Sequence, residues 1–136
     1  MTVDVRDKRE ICFERFPIHP SPPPLAFFQA LALGCAFVPL RKPKKLPGET
    51  IGEEYKLEYG TDRIEMHVGS VKEGQRVVLV DDLIATGGTA GAGVSLMKRV
   101  GAEIIEVACV IELPVLGGRA KLGDVPLYTL IDFDCE

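Results

Sequence analysis

Hydrophobic and polar residues follow a regular order in the second half of the chain. Arg76–Asp81 is a continuous run of β-branched and aliphatic residues, typical of a strand buried on both faces of a parallel sheet. Ala90–Val100 fits a helix that Gly101 ends, and further buried strands are predicted at Glu103–Ile111 and Leu127–Ile131. A strand, a loop, a helix and a strand in succession predict an α/β fold with right-handed crossover connections.

The first half of the chain carries shorter patterns. Phe16–Pro24 holds five prolines in nine residues, which favours irregular or polyproline II chain because proline fixes φ and lacks an N–H donor. An apolar helix is predicted at Leu25–Leu33, with Gly34 as its C-cap. Ala36–Leu40 then has the pattern of a buried strand.

A β-hairpin is predicted in the middle of the chain. Arg41–Glu54 has the composition of a basic loop with proline and glycine. Tyr55–Tyr59 and Arg63–Val68 alternate apolar and polar residues with period two, and the turn residues between them predict a hairpin. Gly117–Gly123 has room for one helical turn.

Composition and charge narrow the classes of function. The chain has 136 residues, is 46% hydrophobic and 26% charged, and carries a formal charge of -4. These values predict one globular domain and argue against nucleic acid or an anionic membrane as its main partner. None of the four cysteines forms a C-x-x-C pair, which favours free thiols. A charged N-terminus without an apolar centre predicts a cytoplasmic location.

The segment after the strand at Arg76–Asp81 carries the chemistry. Asp81 and Asp82 stand at the carboxyl end of this strand, where open α/β sheets bind ligands. The residues that lead from there into the helix are Ala85, Thr86, Gly87, Gly88 and Thr89. The glycines allow close backbone approach to an anion, the threonines add hydroxyl donors, and the helix N-terminus adds N–H groups. The pattern predicts a phosphate site beside acids that bind hydroxyls, which suits a ribose 5-phosphate.

Two other phosphate motifs do not fit this segment. A Walker loop needs a lysine after its last glycine, and no lysine follows Gly88. The glycines that follow the strand lack the G-x-G-x-x-G order of a dinucleotide site. An ordinary strand-to-helix turn is the remaining alternative, and the paired aspartates before T-G-G-T argue against it.

The thirteen residues Val77–Thr89 resemble the phosphoribosyl diphosphate (PRPP) motif of type I phosphoribosyltransferases. Arg41–Gly48, Tyr55–Gly60, Glu73–Arg76 and Val110–Leu113 look like the adenine phosphoribosyltransferases among them. The resemblance implies a Rossmann-like parallel sheet with a β-hairpin flap. It covers residues 34–136 of one domain spanning residues 1–136, in which residues 1–33 are divergent.

The resemblance also implies a reaction. Members of this family transfer 5-phosphoribosyl from PRPP to adenine in purine salvage, giving AMP and pyrophosphate, and they form homodimers. By this resemblance the 5-phosphate binds at Ala85–Thr89, and Asp81 and Asp82 face the ribose hydroxyls, with Mg²⁺ as cofactor. The basic residues implied to meet pyrophosphate are Lys42 and Lys45, and Arg41 beside them is implied to bind substrate. The flap residues implied to act in catalysis are Glu58, as proton donor or acceptor, and Tyr59.

Each of these assignments has a simpler alternative. The basic residues of the loop could be solvated, and Glu58 could be an outward strand residue. The chain as a whole could be a non-catalytic isoform or fragment that binds nucleotide phosphate or pairs with a full-length subunit. A regulator that senses PRPP is a further alternative, against which Glu58 and Tyr59 argue.

The N-terminal third departs from the family. We find neither the family's central strand nor the acidic-x-Arg-Gly loop that meets pyrophosphate. The sheet is therefore expected to be incomplete, with an open ladder edge, low stability and a tendency to associate. The missing donors predict transfer at least about a thousandfold slower than in a complete family member.

Overall fold

The computed structural model describes residues 11–15, 25–57 and 60–133. Within these ranges the strands are β1 Ile11–Arg15, β2 Ala36–Leu40, β3 Thr50–Lys56, β4 Thr61–His67, β5 Arg76–Ile84, β6 Glu103–Glu112 and β7 Leu127–Asp132. The helices are α1 Leu25–Leu33, α2 Gly88–Arg99 and two short 3-10 helices, Pro114–Leu116 and Gly118–Leu122. None of these helices is long and apolar enough to cross a membrane.

One parallel sheet and one hairpin account for the strands. The sheet has five strands in the order β2-β1-β5-β6-β7, and each neighbouring pair is parallel. β3 and β4 form a separate antiparallel pair with Tyr55 opposite Asp62. The predicted α/β class, parallel sheet and hairpin are confirmed.

β1 corrects the prediction of an incomplete sheet. Ile11–Arg15 pairs with β2 on one side, and Ile11–Glu14 pairs with β5 on the other. A strand therefore occupies the position that was expected to be empty, and the expected open edges of β2 and β5 are paired. Backbone N–H and C=O groups need only an extended segment as partner, so a short run of unrelated sequence suffices. The proline-rich segment Phe16–Pro24 lies outside the described residues.

The sheet is covered on both faces, which explains the continuous apolar run of β5. Val77 and Leu79 belong to the core beneath α2, where Leu96 and Met97 are fully buried. The intervening Val78 and Val80 face the other side and pack with Ala26 and Ala30 of α1. Successive strand residues point to opposite faces, so a strand buried on both sides has no polar alternation.

The bounds of several elements differ from the predictions: the strand predicted at Tyr55–Tyr59 is found at Thr50–Lys56, and the helix predicted at Ala90–Val100 is found at Gly88–Arg99. β3 begins at Thr50, inside the predicted basic loop, because Gly52 lets the two hairpin strands pack closely. A Cβ atom at Gly52 would lie 2.6 Å from the Ile64 carbonyl oxygen. β5 runs on to Ile84, since its ladder with β6 continues as far as Ile84 opposite Glu112. The predicted helical turn at Gly117–Gly123 forms the second of two 3-10 helices.

Candidate functional site

The paired aspartates lie within β5, near its carboxyl end. Asp81 is half-buried and pairs with Cys109 of β6 in the ladder, whereas Asp82 is exposed. The Asp82 N–H donates a 3.0 Å hydrogen bond to Asp81 Oδ1. The strand therefore holds both carboxyl groups at the edge of the sheet where ligands of α/β proteins bind.

The chain turns from β5 into α2 without a side-chain cap. Gly87 is the N-cap, with a left-handed φ of 71°, and its carbonyl oxygen accepts a 2.8 Å hydrogen bond from the Gly91 N–H. A residue with a Cβ atom adopts this φ only with strain. The first N–H groups of a helix have no partner inside the helix, so this N-terminus is suited to an anion.

The turn and the aspartates enclose one cavity of about 260 Å³. Seven of the predicted site residues line it: Asp81, Asp82, Ala85, Thr86, Gly87, Gly88 and Thr89. Leu57, from the end of the hairpin's first strand, closes another side. The predicted acids and the predicted phosphate loop therefore share one space.

Gly118 is a residue of this site that the sequence analysis missed. A Cβ atom at Gly118 would lie 2.2 Å from the Ala85 carbonyl oxygen and 2.8 Å from the Gly87 nitrogen. A Cβ atom at Gly87 would in turn lie 2.2 Å from the Gly118 carbonyl oxygen. Both glycines are therefore needed for the contact between the phosphate loop and the loop after β6. This requirement is separate from the close backbone approach to an anion that the sequence predicts at Gly87.

An ion pair with a buried carboxylate holds the loop that carries Gly118. Glu112, 3% exposed, accepts two hydrogen bonds from the Arg119 guanidinium, of which Nε to Oε1 measures 3.1 Å. These hydrogen bonds to the carboxylate raise the pKa of Arg119 further above its ordinary value. The Leu113 N–H also donates to the Ile84 carbonyl oxygen at 2.9 Å. The loop is thus fixed at one end to β5 through Leu113 and at the other end to the last residue of β6 through Arg119.

The predicted substrate-binding residues of the basic loop do not line this cavity. Arg41 exchanges backbone hydrogen bonds of 2.9 and 2.7 Å with Glu65, and Lys45 is exposed. Lys42 pairs with Asp62 at 3.0 Å. Their contact with substrate stays a prediction.

The predicted flap residues Glu58 and Tyr59 lie outside the described residues. The described residue before them is Leu57, which lines the cavity of the phosphate loop. The roles of Glu58 and Tyr59 therefore stay predictions.

A chain of polar contacts links the basic loop to the phosphate loop. Thr89 Oγ1 donates to the Tyr55 hydroxyl at 3.3 Å, and this hydroxyl donates to Asp62 Oδ2 at 3.1 Å. Burial raises the pKa of Asp62, but hydrogen bonds from Lys42, the Arg63 N–H and Tyr55 together bring it below its ordinary value. Sequence analysis missed Tyr55 and Asp62 because their partners are distant along the chain.

A second cavity of about 260 Å³ lies on the α1 side of the sheet. It is lined by Gln29, Val80, Asp81, Ala108, Cys109, Val110, Tyr128 and Leu130. Burial, together with the charges of Glu112 and Asp81, raises the pKa of the Cys109 thiol to about 11. Because Asp81 lines both cavities, they meet at the carboxyl end of β5.

Potential metal ligands are few in this region. No group of three or more His, Cys, Asp and Glu side chains in the described ranges could hold a metal ion. Asp81 and Asp82 are nevertheless two carboxyl groups that line the same cavity.

The combination of sheet, hairpin and phosphate loop defines a known class of protein. A family model described as "Phosphoribosyl transferase domain" matches residues 24–127, most of the chain. The chain therefore belongs to the phosphoribosyltransferase family.

Within that family the chain is similar to proteins named adenine phosphoribosyltransferase. The chain is 66% identical over 105 residues to adenine phosphoribosyltransferase 1 of Triticum aestivum, an alignment that covers 77% of the chain and 58% of the wheat protein. The crystal structure of adenine phosphoribosyltransferase from Thermoanaerobacter pseudethanolicus is similar with a TM-score of 0.80 and 43% identity, over 94% of this chain and 72% of that one. The predicted resemblance to adenine phosphoribosyltransferases is confirmed.

A third comparison is with a structure that contains ligands. The enzyme from Trypanosoma brucei, solved in complex with AMP, pyrophosphate and ribose-5-phosphate, has a TM-score of 0.75 and 33% identity, over 92% of this chain and 56% of that one. The chain spans 58% of the length of the wheat protein that it matches.

Proposed function

We propose that the protein is an adenine phosphoribosyltransferase of purine salvage, which transfers 5-phosphoribosyl from PRPP to adenine and releases AMP and pyrophosphate. The observation that carries the proposal is the single cavity lined by both aspartates and the phosphate loop. The names of the wheat and Thermoanaerobacter pseudethanolicus relatives, both adenine phosphoribosyltransferases, support adenine as the base. The complex of the Trypanosoma brucei enzyme with AMP, pyrophosphate and ribose-5-phosphate is consistent with the proposed ligands.

The 5-phosphate is proposed to bind at Ala85–Thr89. The left-handed Gly87 and the N-terminus of α2 supply backbone N–H groups and the positive end of the helix dipole. The hydroxyl group of Thr86 supplies a further donor, and Thr89, whose hydroxyl donates to Tyr55, lines the same cavity. These donors are fixed by the fold, so binding requires little reorganisation.

Asp81 and Asp82 are proposed to bind the ribose hydroxyls. Two carboxyl groups in one cavity also suit Mg²⁺, which prefers oxygen ligands and commonly binds one or two carboxylates together with substrate phosphates. Asp81 and Asp82 would hold the ion, which would neutralise part of the negative charge on the phosphates. The resemblance to the family supports this cofactor.

The pyrophosphate is proposed to meet the basic loop. Arg41, Lys42 and Lys45 supply positive charge where the leaving group develops negative charge, and such stabilisation is the main part of catalysis in this kind of transfer. Glu58 and Tyr59 are proposed to close over the site, with Glu58 donating or accepting a proton near the base or leaving group.

The assembly and location are also proposals. By resemblance we propose that residues 1–136 form one phosphoribosyltransferase-like domain that acts as a homodimer in the cytoplasm. The partners proposed are small molecules, and the formal charge of -4 argues against nucleic acid and anionic membranes. Size-exclusion chromatography with light scattering measures the oligomeric state directly.

Ligand binding tests the proposed site. Titration calorimetry of the full chain with AMP should show binding, and replacing Thr86 with Val should weaken it by about three- to tenfold, as expected for one hydrogen bond. The matched control is Thr129→Val, since Thr129 lies on β7 away from the loop and its hydroxyl donates to Asp132 at 2.6 Å. Equal AMP affinity in the Thr86 variant and the wild type would contradict the assignment.

A further inference from the structure

Asp62 is the centre of a set of contacts that joins three segments of the chain. Its Oδ2 accepts hydrogen bonds from the Tyr55 hydroxyl at 3.1 Å and from Lys42 Nζ at 3.0 Å. Its Oδ1 accepts the Arg63 N–H at 2.8 Å. Tyr55 in turn accepts the hydroxyl proton of Thr89 at 3.3 Å. One carboxylate thus contacts the basic loop directly and the phosphate loop through a single tyrosine.

The surroundings of Asp62 distinguish it from an ordinary surface ion pair. The Asp62 side chain is 18% exposed and the Tyr55 residue 9% exposed. By contrast, Asp124, which pairs with Lys98 at 2.8 Å, has an 87% exposed side chain. Exposed pairs contribute little because water screens them, whereas a partly buried carboxylate with three donors holds its partners in place.

We propose that Asp62 is a positioning residue that couples the two phosphate-binding ends of the substrate site. It holds Lys42 at the end that receives pyrophosphate, and through Tyr55 it holds Thr89, in the first turn of α2, at the end that receives the 5-phosphate. This inference rests on the proposed function, which assigns one end to pyrophosphate and the other to the 5-phosphate. The coupling itself rests on the four contacts described above.

The two products separate the two ends experimentally. AMP contains the 5-phosphate and should occupy only that end of the site, whereas pyrophosphate is the leaving group and should occupy only the other end. Asp62→Asn removes the charge that holds Lys42 and weakens the acceptor for Tyr55, so both ligands should bind about three- to tenfold more weakly. Tyr55→Phe keeps the ring in the core but removes the link to Thr89. This variant should weaken the binding of AMP by a similar factor and leave the affinity for pyrophosphate unchanged.

A double variant excludes a merely structural effect. Because Asp62 acts on AMP through Tyr55, the variant with both Asp62→Asn and Tyr55→Phe should bind AMP no more weakly than the worse single variant. Independent losses would instead multiply. Asp124→Asn is the matched control, and it should leave both affinities unchanged because its exposed carboxylate pairs with Lys98.

The measurement is titration calorimetry of the full chain with AMP and with sodium pyrophosphate, each in the presence of Mg²⁺. Unchanged affinity for both ligands in Asp62→Asn would overturn the coupling while leaving the proposed function intact. Equal loss of both ligands in Tyr55→Phe would also overturn it, since that pattern indicates a general disturbance of the fold. A folded wild type that binds neither ligand would overturn the proposed function as well.

Discussion

Gly118→Ala is the substitution whose effect follows most directly from the structure. The added Cβ atom would lie 2.2 Å from the Ala85 carbonyl oxygen, whereas an ordinary carbon–oxygen contact is about 3.3–3.6 Å. The two loops must therefore separate by about 1 Å. Gly118 does not have a left-handed φ, so the effect comes from the contact alone.

The displacement acts on the phosphate loop because the other loop is anchored. Glu112 and Arg119 hold the chain on both sides of Gly118, so Ala85–Gly87 is expected to take up most of the shift. A misplacement of 1 Å can lower the rate of a positioned reaction by about a hundredfold. We therefore expect kcat/KM for PRPP to fall by about a hundredfold, with a loss of stability of about 1–3 kcal/mol.

The neighbouring glycine provides the control. Gly117 has a φ of 63° and nothing within 4 Å of an added Cβ atom, so Gly117→Ala introduces backbone strain without a clash. It should lower the free energy of unfolding by about 1–2 kcal/mol and leave kcat/KM within about threefold. Urea unfolding and a steady-state assay of AMP formation measure the two quantities. Gly118→Ala with kcat/KM within threefold of wild type would refute the reasoning.

Three further predictions concern the core and two titrating groups. Leu96→Ala should cost about 2–5 kcal/mol in urea unfolding, whereas Leu31→Ala, at a side chain 70% exposed, should cost less than about 0.5 kcal/mol. The lowered pKa of Asp62 stabilises the fold above the ordinary carboxyl pKa of 3.8, and this part is lost as pH falls through the folded pKa. Unfolding across acid pH should therefore show a smaller loss in Asp62→Asn, and an equal loss would contradict the shift. With a pKa of about 11, the buried Cys109 thiol should alkylate at pH 8 more slowly than the half-buried Cys35, as peptide mass spectrometry would measure.

Residues that are consecutive in sequence explain what could be predicted. The apolar run from Arg76, the paired aspartates and the glycine-threonine turn lie within fourteen residues, so strand, acids and phosphate loop follow from one local pattern. The helix Leu25–Leu33 and the strand Ala36–Leu40 were predicted with their observed bounds because each has a continuous apolar stretch with a glycine between them.

Contacts between distant residues explain what could not be predicted. β1 has only five residues, and its Glu14 and Arg15 interrupt the apolar pattern, so its place depends on the edges that β2 and β5 offer. Tyr55 reaches Thr89 across 34 positions of sequence. Gly118 meets Ala85 only because β6 returns the chain to the same edge of the sheet. Such contacts depend on topology, which local periodicity does not determine.

Conversion of labelled adenine to AMP by the purified full chain is the most direct test of the proposed function. We predict AMP formation that requires PRPP, that is lost in Asp81→Asn, and that is at least about a thousandfold slower than in a complete relative, since the sequence lacks the acidic-x-Arg-Gly loop. Because the rate is expected to be low, the assay needs label detection and a blank without enzyme. A folded chain that binds AMP but forms none above the blank would contradict the proposed catalysis and support the non-catalytic alternative.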